Sequence, residues 1–200
     1  SDLIAYGIPD VDGAERESYA GKRTLVLGSG HSAINVALAL LDLQEKAPGT
    51  EVTWALRRDR IARLLGGGLN DQLPGRGALG LAAKQAIDEG RLKMLAPFVV
   101  DRVARSGDRL RVEATLGVRP VAEDVDRIVV ATGFRPDFSF LRELRLGLDP
   151  TVEATPALAP LIDPNVHSCG TVPPHGVDEL AHPEQSFYIV GSKSYGRAPT

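Results

Sequence analysis

The residues with the clearest chemical potential are Gly28-Ser29-Gly30-His31-Ser32-Ala33, which match the pattern G-x-G-x-x-A. The first glycine of such a pattern permits a tight turn. The second lets a pyrophosphate approach the backbone, and the third position needs a small side chain so that helix and strand can pack. A helix beginning there points unpaired N–H groups and its positive dipole end at the phosphates. The pattern alone also fits a structural turn with no ligand, so its flanking elements decide. A second cluster is Arg57 and Arg58, followed by Arg60 and Arg63. An Asp or Glu at the end of the second strand would accept hydrogen bonds from a ribose 2′-OH. Guanidinium groups there suit a 2′-phosphate, a dianion that Arg binds bidentately. NADP(H) is therefore favoured over NAD(H), with Arg57 and Arg58 primary and Arg63 secondary. Two alternatives stay open: a solvated helix face for the arginines, and Asp59 near the ribose. His31 reads first as a bystander, with contact to phosphate or to the nicotinamide side as the alternative. Trp54 reads as core rather than as a stacking platform.

The elements that must position these residues follow from periodicity. Residues 24–27 are a short apolar run ending at Gly28, as a buried strand would be. Residues 32–44 form an Ala- and Leu-rich helix with a broad apolar face, stopped by Pro48-Gly49. Residues 51–56, with Val52, Thr53 and Trp54, form a second strand. Strand, glycine turn, helix, strand is a βαβ unit with a right-handed crossover and a parallel sheet. Residues 66–77 read as a glycine-rich loop and 78–89 as a helix. Residues 92–95, 98–104 and 109–115 read as a small antiparallel meander, with Ser106-Gly107-Asp108 as a turn. Residues 126–131 are another buried strand, closed by Thr132-Gly133. Beyond Pro136, repeated prolines break the chain, and only 187–190 reads as a core strand.

Composition narrows the function classes. The chain has 200 residues, 43% of them hydrophobic and 24% charged, ordinary globular values that allow a core without disulfides. Its one cysteine, Cys169, excludes an intramolecular disulfide and reads as a small partly buried residue, with a functional thiol as the alternative. A reducing cytoplasm is the expected setting. A net charge of −3 with interspersed signs gives no nucleic-acid surface, and no apolar run is long enough to span a membrane. His167, His175 and His182 lack metal-ligand spacing, so no metal site is expected. No side chain stands out as a catalytic acid, base or nucleophile. Four tyrosines yield no Tyr-x-x-x-Lys pair, which disfavours a short-chain, single-cofactor dehydrogenase.

The glycine turn, the double arginine and the segment Ile128-Val129-Val130-Ala131-Thr132-Gly133, followed by Phe134-Arg135-Pro136, together resemble the two-dinucleotide-binding-domain flavoproteins. These include thioredoxin reductase-like and flavin-containing monooxygenase-like enzymes. The resemblance implies an NAD(P)H domain inserted in an FAD domain, with Ala131, Thr132 and Gly133 at the crossover between them. It also likens Phe187–Ser192 to the late FAD-domain strand. Gly191 and Ser192 then stand where the family has Gly-Asp, the Asp holding the ribityl chain; Ser192 carries no charge. The loop Gly66–Pro74 points towards the monooxygenase-like branch.

The implied fold is a Rossmann-type, doubly wound parallel sheet with a small antiparallel meander and part of an interrupted FAD-type domain. Residues 1–20 are expected as a linker or FAD-domain connection, 21–135 as the NADP(H)-binding domain, and 136–200 as a partial FAD-domain segment. No second G-x-G-x-x-G follows an expected strand, and two complete domains would need roughly 300 residues. With Ser1 in place of an initiator Met, the expectation is a piece of a longer protein that binds FAD in its full-length form. The expected function is passage of hydride from NADPH to flavin, the cofactors carrying the chemistry. Expected partners are small-molecule cofactors and the missing FAD-domain segment; a homodimer stays open. A dinucleotide sensor or interaction module and a single-cofactor dehydrogenase are the alternatives.

Overall fold

The computed structural model describes residues 2–58, 74–163 and 172–198. The chain divides into two compact units, Ser1–Thr132 and Gly133–Thr200. The first is built on a five-stranded sheet of β1 (Ile4–Tyr6), β2 (Arg23–Leu27), β3 (Glu51–Ala55), β4 (Lys93–Leu95) and β8 (Arg127–Val130). Its order is β1-β8-β2-β3-β4, and every neighbouring pair is parallel. A three-stranded antiparallel meander, β5 (Phe98–Ser106), β6 (Arg109–Leu116) and β7 (Arg119–Val125), is inserted before β8.

Both faces of the parallel sheet are covered, as its sequence pattern requires. Successive side chains point to opposite faces. Val26, Trp54 and Val129 enter one core with the helix α2 (His31–Lys46), and Leu25, Ala55 and Ile128 enter another with Phe98, Leu110, Val112 and Ala114 of the meander. The parallel sheet and meander expected from the sequence are both present. Helices α2 and α3 (Pro74–Asp88) lie on one face, while the meander occupies the face where a doubly wound sheet carries its second helical layer.

α2 forms because its apolar residues recur at helical spacing without a β-branched run. Ala33, Ile34, Val36, Ala37, Leu40, Leu41 and Leu43 are buried, while Asn35 is exposed. Each large aliphatic burial contributes roughly 1.5–3 kcal/mol. The helix stops at Ala47, whose N–H bonds Leu43 O (2.8 Å), and Thr50 Oγ1 donates to Ala47 O (2.7 Å).

Several elements differ from the sequence expectation. Residues 1–20 supply β1, which pairs with β8 as the sheet edge, and α1 (Arg16–Tyr19), whose Tyr19 is buried. Lys93–Leu95 pairs parallel with β3 instead of joining the meander, whose third strand is Arg119–Val125. Residues 74–77, expected in a loop, begin α3.

The second unit has its own small core of Val152, Ala154, Leu158, Ala159 and Ile162. It holds two short helices, α4 (Ala159–Ile162) and α5 (Val177–Leu180), and little sheet. Residues 187–190 are not a core strand: Tyr188 makes one isolated bridge to Ala181, and Val190 is 71% exposed. An apolar, β-branched run becomes a buried strand only where other strands flank it, and no strand of this unit is described beside this one. His182 is buried here. Its Nδ1 accepts from the Gly147 N–H (3.3 Å), its Nε2 finds no partner among the described residues, and burial pushes its pKa down.

Candidate functional site

Three predicted pieces meet at the carboxyl edge of the parallel sheet. In the register, Leu27 lies beside both Ala55 and Val130. The residues that follow these three are the glycine turn, Leu56-Arg57-Arg58 and Ala131-Thr132. β3 and β4 extend to one side of β2, and the chain returns through β8 on the other. Ligands of open α/β sheets bind at such a reversal, beyond the carboxyl ends of the strands.

Gly28 is fixed on three sides. Its N–H donates to Ala55 O (3.3 Å), and its carbonyl accepts from Trp54 Nε1 (2.8 Å). A Cβ built on it would stand 2.2 Å from Ala131 O and 3.1 Å from Thr132 N, at a φ of +138°. The glycine turn and Ala131-Thr132 are thus in close backbone approach, and only glycine fits between them. Gly30 is different. Its φ of −90° suits any residue, and nothing lies within 4 Å of where its Cβ would be. No contact among the described residues calls for a glycine at this point.

Gly30 is also the N-cap of α2, whose first turn contains no acid and whose N-cap makes no side-chain hydrogen bond. Ala33 and Ile34 N–H groups close back on Gly30 O (3.0 and 3.2 Å), while Ser29 and Ser32 are exposed. With no acid in its first turn, the positive end of the helix favours an anion. Ala33 is fully buried in the helical core, as the third position of the motif requires. His31 is half-buried, its carbonyl accepting from Asn35 Nδ2 (3.0 Å).

Arg57 and Arg58 are exposed, and neither pairs with a described acid. Their backbone is held in place just upstream, where Leu56 N–H donates to Leu95 O (2.9 Å) and Leu56 O accepts from Phe98 N–H (2.7 Å). Arg63, Asp59, Arg60, residues 66–73 and Cys169 lie outside the described residues.

The remaining candidates belong to the second unit. Gly133 opens it with a φ of +86°, and Gly191 and Ser192 begin a 3-10 helix, Gly191–Tyr195. Ser194 Oγ donates to Gly191 O (2.7 Å), and Ser192 is exposed. Sequence reasoning missed Trp54 as a neighbour of the turn; its indole N–H was the available signal. Among the described residues no three metal-ligating side chains cluster, and no described helix is long and apolar enough to cross a membrane.

No family model matches the sequence, and no curated protein matches it. Solved structures do. The bacillithiol disulfide reductase of Bacillus cereus superposes with a TM-score of 0.61 at 16% identity, over 95% of this chain and 49% of that one. The Staphylococcus aureus enzyme gives 0.59 at 15% identity, over 96% and 51%. An FAD-bound cadaverine monooxygenase of Erwinia amylovora gives 0.53 at 15% identity, over 78% and 46%. An engineered water-forming NADPH oxidase bound to NADPH gives 0.53 at 18% identity, over 75% and 30%. The chain spans about half the length of the two reductases. The chain shares the fold of these four structures over the residues matched.

Proposed function

We propose that this chain is the NADP(H)-binding portion of an FAD-dependent oxidoreductase that passes hydride from NADPH to flavin. The observation that carries the reading is the space over Gly30, free of described atoms, at the acid-free start of α2, on the same sheet edge as Arg57 and Arg58. NADPH, when bound, supplies the hydride. The chain's own residues bind and orient. The backbone of Gly28 to Ala33 receives the pyrophosphate, and the dipole of α2 favours its negative charge. Arg57 and Arg58 pair with the 2′-phosphate, with Arg63 as a further cation. Ala131 and Thr132 hold the turn from behind. No described side chain is assigned as acid or base, which suits a reaction whose chemistry resides in the cofactors.

The solved neighbours support the pairing of cofactors, since one carries FAD and another NADPH. Residues 21–135, together with β1, form the proposed NADP(H) domain. Residues 136–200 are proposed as a segment of the FAD domain. The described part of that segment holds no strand, glycine turn and helix in succession, and Ser192 is neutral, so no flavin step is routed through it.

The double substitution R57A/R58A tests the assignment. Removing two charge-assisted contacts should weaken NADPH about 10- to 100-fold, while NADH changes by less than about twofold. Isothermal titration with both cofactors measures this. Equal losses for the two would refute a 2′-phosphate at these arginines. A yellow purified protein would add retained FAD to the reading.

A further inference from the structure

We propose that Trp54 is a positioning residue for the glycine turn, fixing the Gly28 carbonyl so that the N–H groups from Gly30 onward face the cofactor. This rests on the NADP(H) reading. Trp54 is fully buried and lies in the core beneath α2. A core role alone would need only a large apolar ring. Here the indole Nε1–H reaches out of β3 and donates to Gly28 O at 2.8 Å. Gly28 is the residue where β2 ends and the turn begins, and its own N–H is held by Ala55 O, the residue after Trp54. One short segment of β3 therefore holds both polar groups of Gly28. Beyond Gly28, the Ala33 and Ile34 N–H groups close back on Gly30 O at the start of α2. The direction of the peptide between Gly28 and Ser29 is thus set by the indole, while the Cα of Gly28 rests against Ala131 O. With no such donor, that peptide plane is free to rotate, and ligand binding then carries the cost of ordering it.

The chain has one tryptophan, so global replacement of Trp by β-(3-benzothienyl)alanine alters this position alone. The analogue keeps the shape of the ring and replaces N–H by sulfur. The expected result is unchanged cooperative unfolding with NADPH affinity weakened about three- to tenfold, the worth of one hydrogen bond. Trp54→Phe should weaken NADPH at least as much. Leu43→Ala, a cavity in the same core but at the far end of α2, should leave affinity within about twofold. Benzothienyl protein that binds NADPH as tightly as the native chain overturns the inference. So does an equal affinity loss in L43A, which would mark a general effect of core loosening. Native protein that fails to bind NADPH at all overturns the cofactor reading itself, together with this inference.

Discussion

Gly28 and Gly30 differ in what a methyl group would meet. At Gly28 it would press into the Ala131 carbonyl at a φ that L residues avoid; at Gly30 it would enter empty space at an ordinary φ. Gly28→Ala should therefore cost roughly 3–5 kcal/mol of stability, from overpacking plus backbone strain. Gly30→Ala should change stability by less than about 0.5 kcal/mol. It should still weaken NADPH by about tenfold or more, because the methyl takes the place of the approaching pyrophosphate. Denaturant titration and NADPH binding on the two variants measure both quantities. A G30A protein that binds normally would leave its glycine unexplained. The need for small residues at Gly28 and Ala33 was legible in the sequence because the turn pattern is local. The reason for Gly28 was not, since its constraint is the carbonyl of a residue more than a hundred positions later.

At the scale of elements, Asp126 ties the parallel sheet to the meander. It lies between β7 and β8, accepts the Arg23 N–H (2.8 Å) and faces the guanidiniums of Arg23 (3.6 Å) and Arg109 (3.1 Å). Burial alone would raise its pKa. The Arg23 N–H and the charges of Arg23, Arg109 and Lys22 outweigh that and hold it below the ordinary value. A depressed carboxylate contributes stability that is complete above its unfolded pKa and is lost as pH falls through its folded one. Native protein should thus lose stability below about pH 4. D126N should be less stable by about 1–2 kcal/mol at neutral pH. Its stability should also fall less steeply in acid, as thermal melts across pH 2.5–7 on the order of half-unit steps would record. An identical acid slope in both proteins would contradict this role.

The elements themselves were legible to different degrees. β2, α2, β3 and β8 announce themselves through apolar runs and helical spacing. β1 is three residues long, too short for any period. β7 is absent from the expected strands because Pro120, Glu123 and Asp124 interrupt its apolar pattern, yet an edge strand tolerates all three. Lys93–Leu95 reads correctly as a strand, but its partner is β3, about forty residues earlier, which no local pattern encodes.

At the scale of the whole molecule, the two units carry different amounts of readable information. Ser1–Thr132 has two cores on either side of one sheet, and its motifs lie where that sheet reverses direction. Gly133–Thr200 has one small core and an apolar run, Phe187–Val190, left largely outside it. The core strand expected at 187–190 does not form, and among the described residues no strand of this unit lies beside it. The fold class therefore rests on the first unit and on the solved structures that share it. So does the central claim, that this fold is used here to hold NADP(H). The most direct measurement is a parallel titration of the full 200-residue chain with NADPH and NADH, followed by the fluorescence of the reduced nicotinamide and by calorimetry. The account predicts saturable one-to-one binding of NADPH, about tenfold or more tighter than NADH. No binding of either, or tighter binding of NADH, would contradict it.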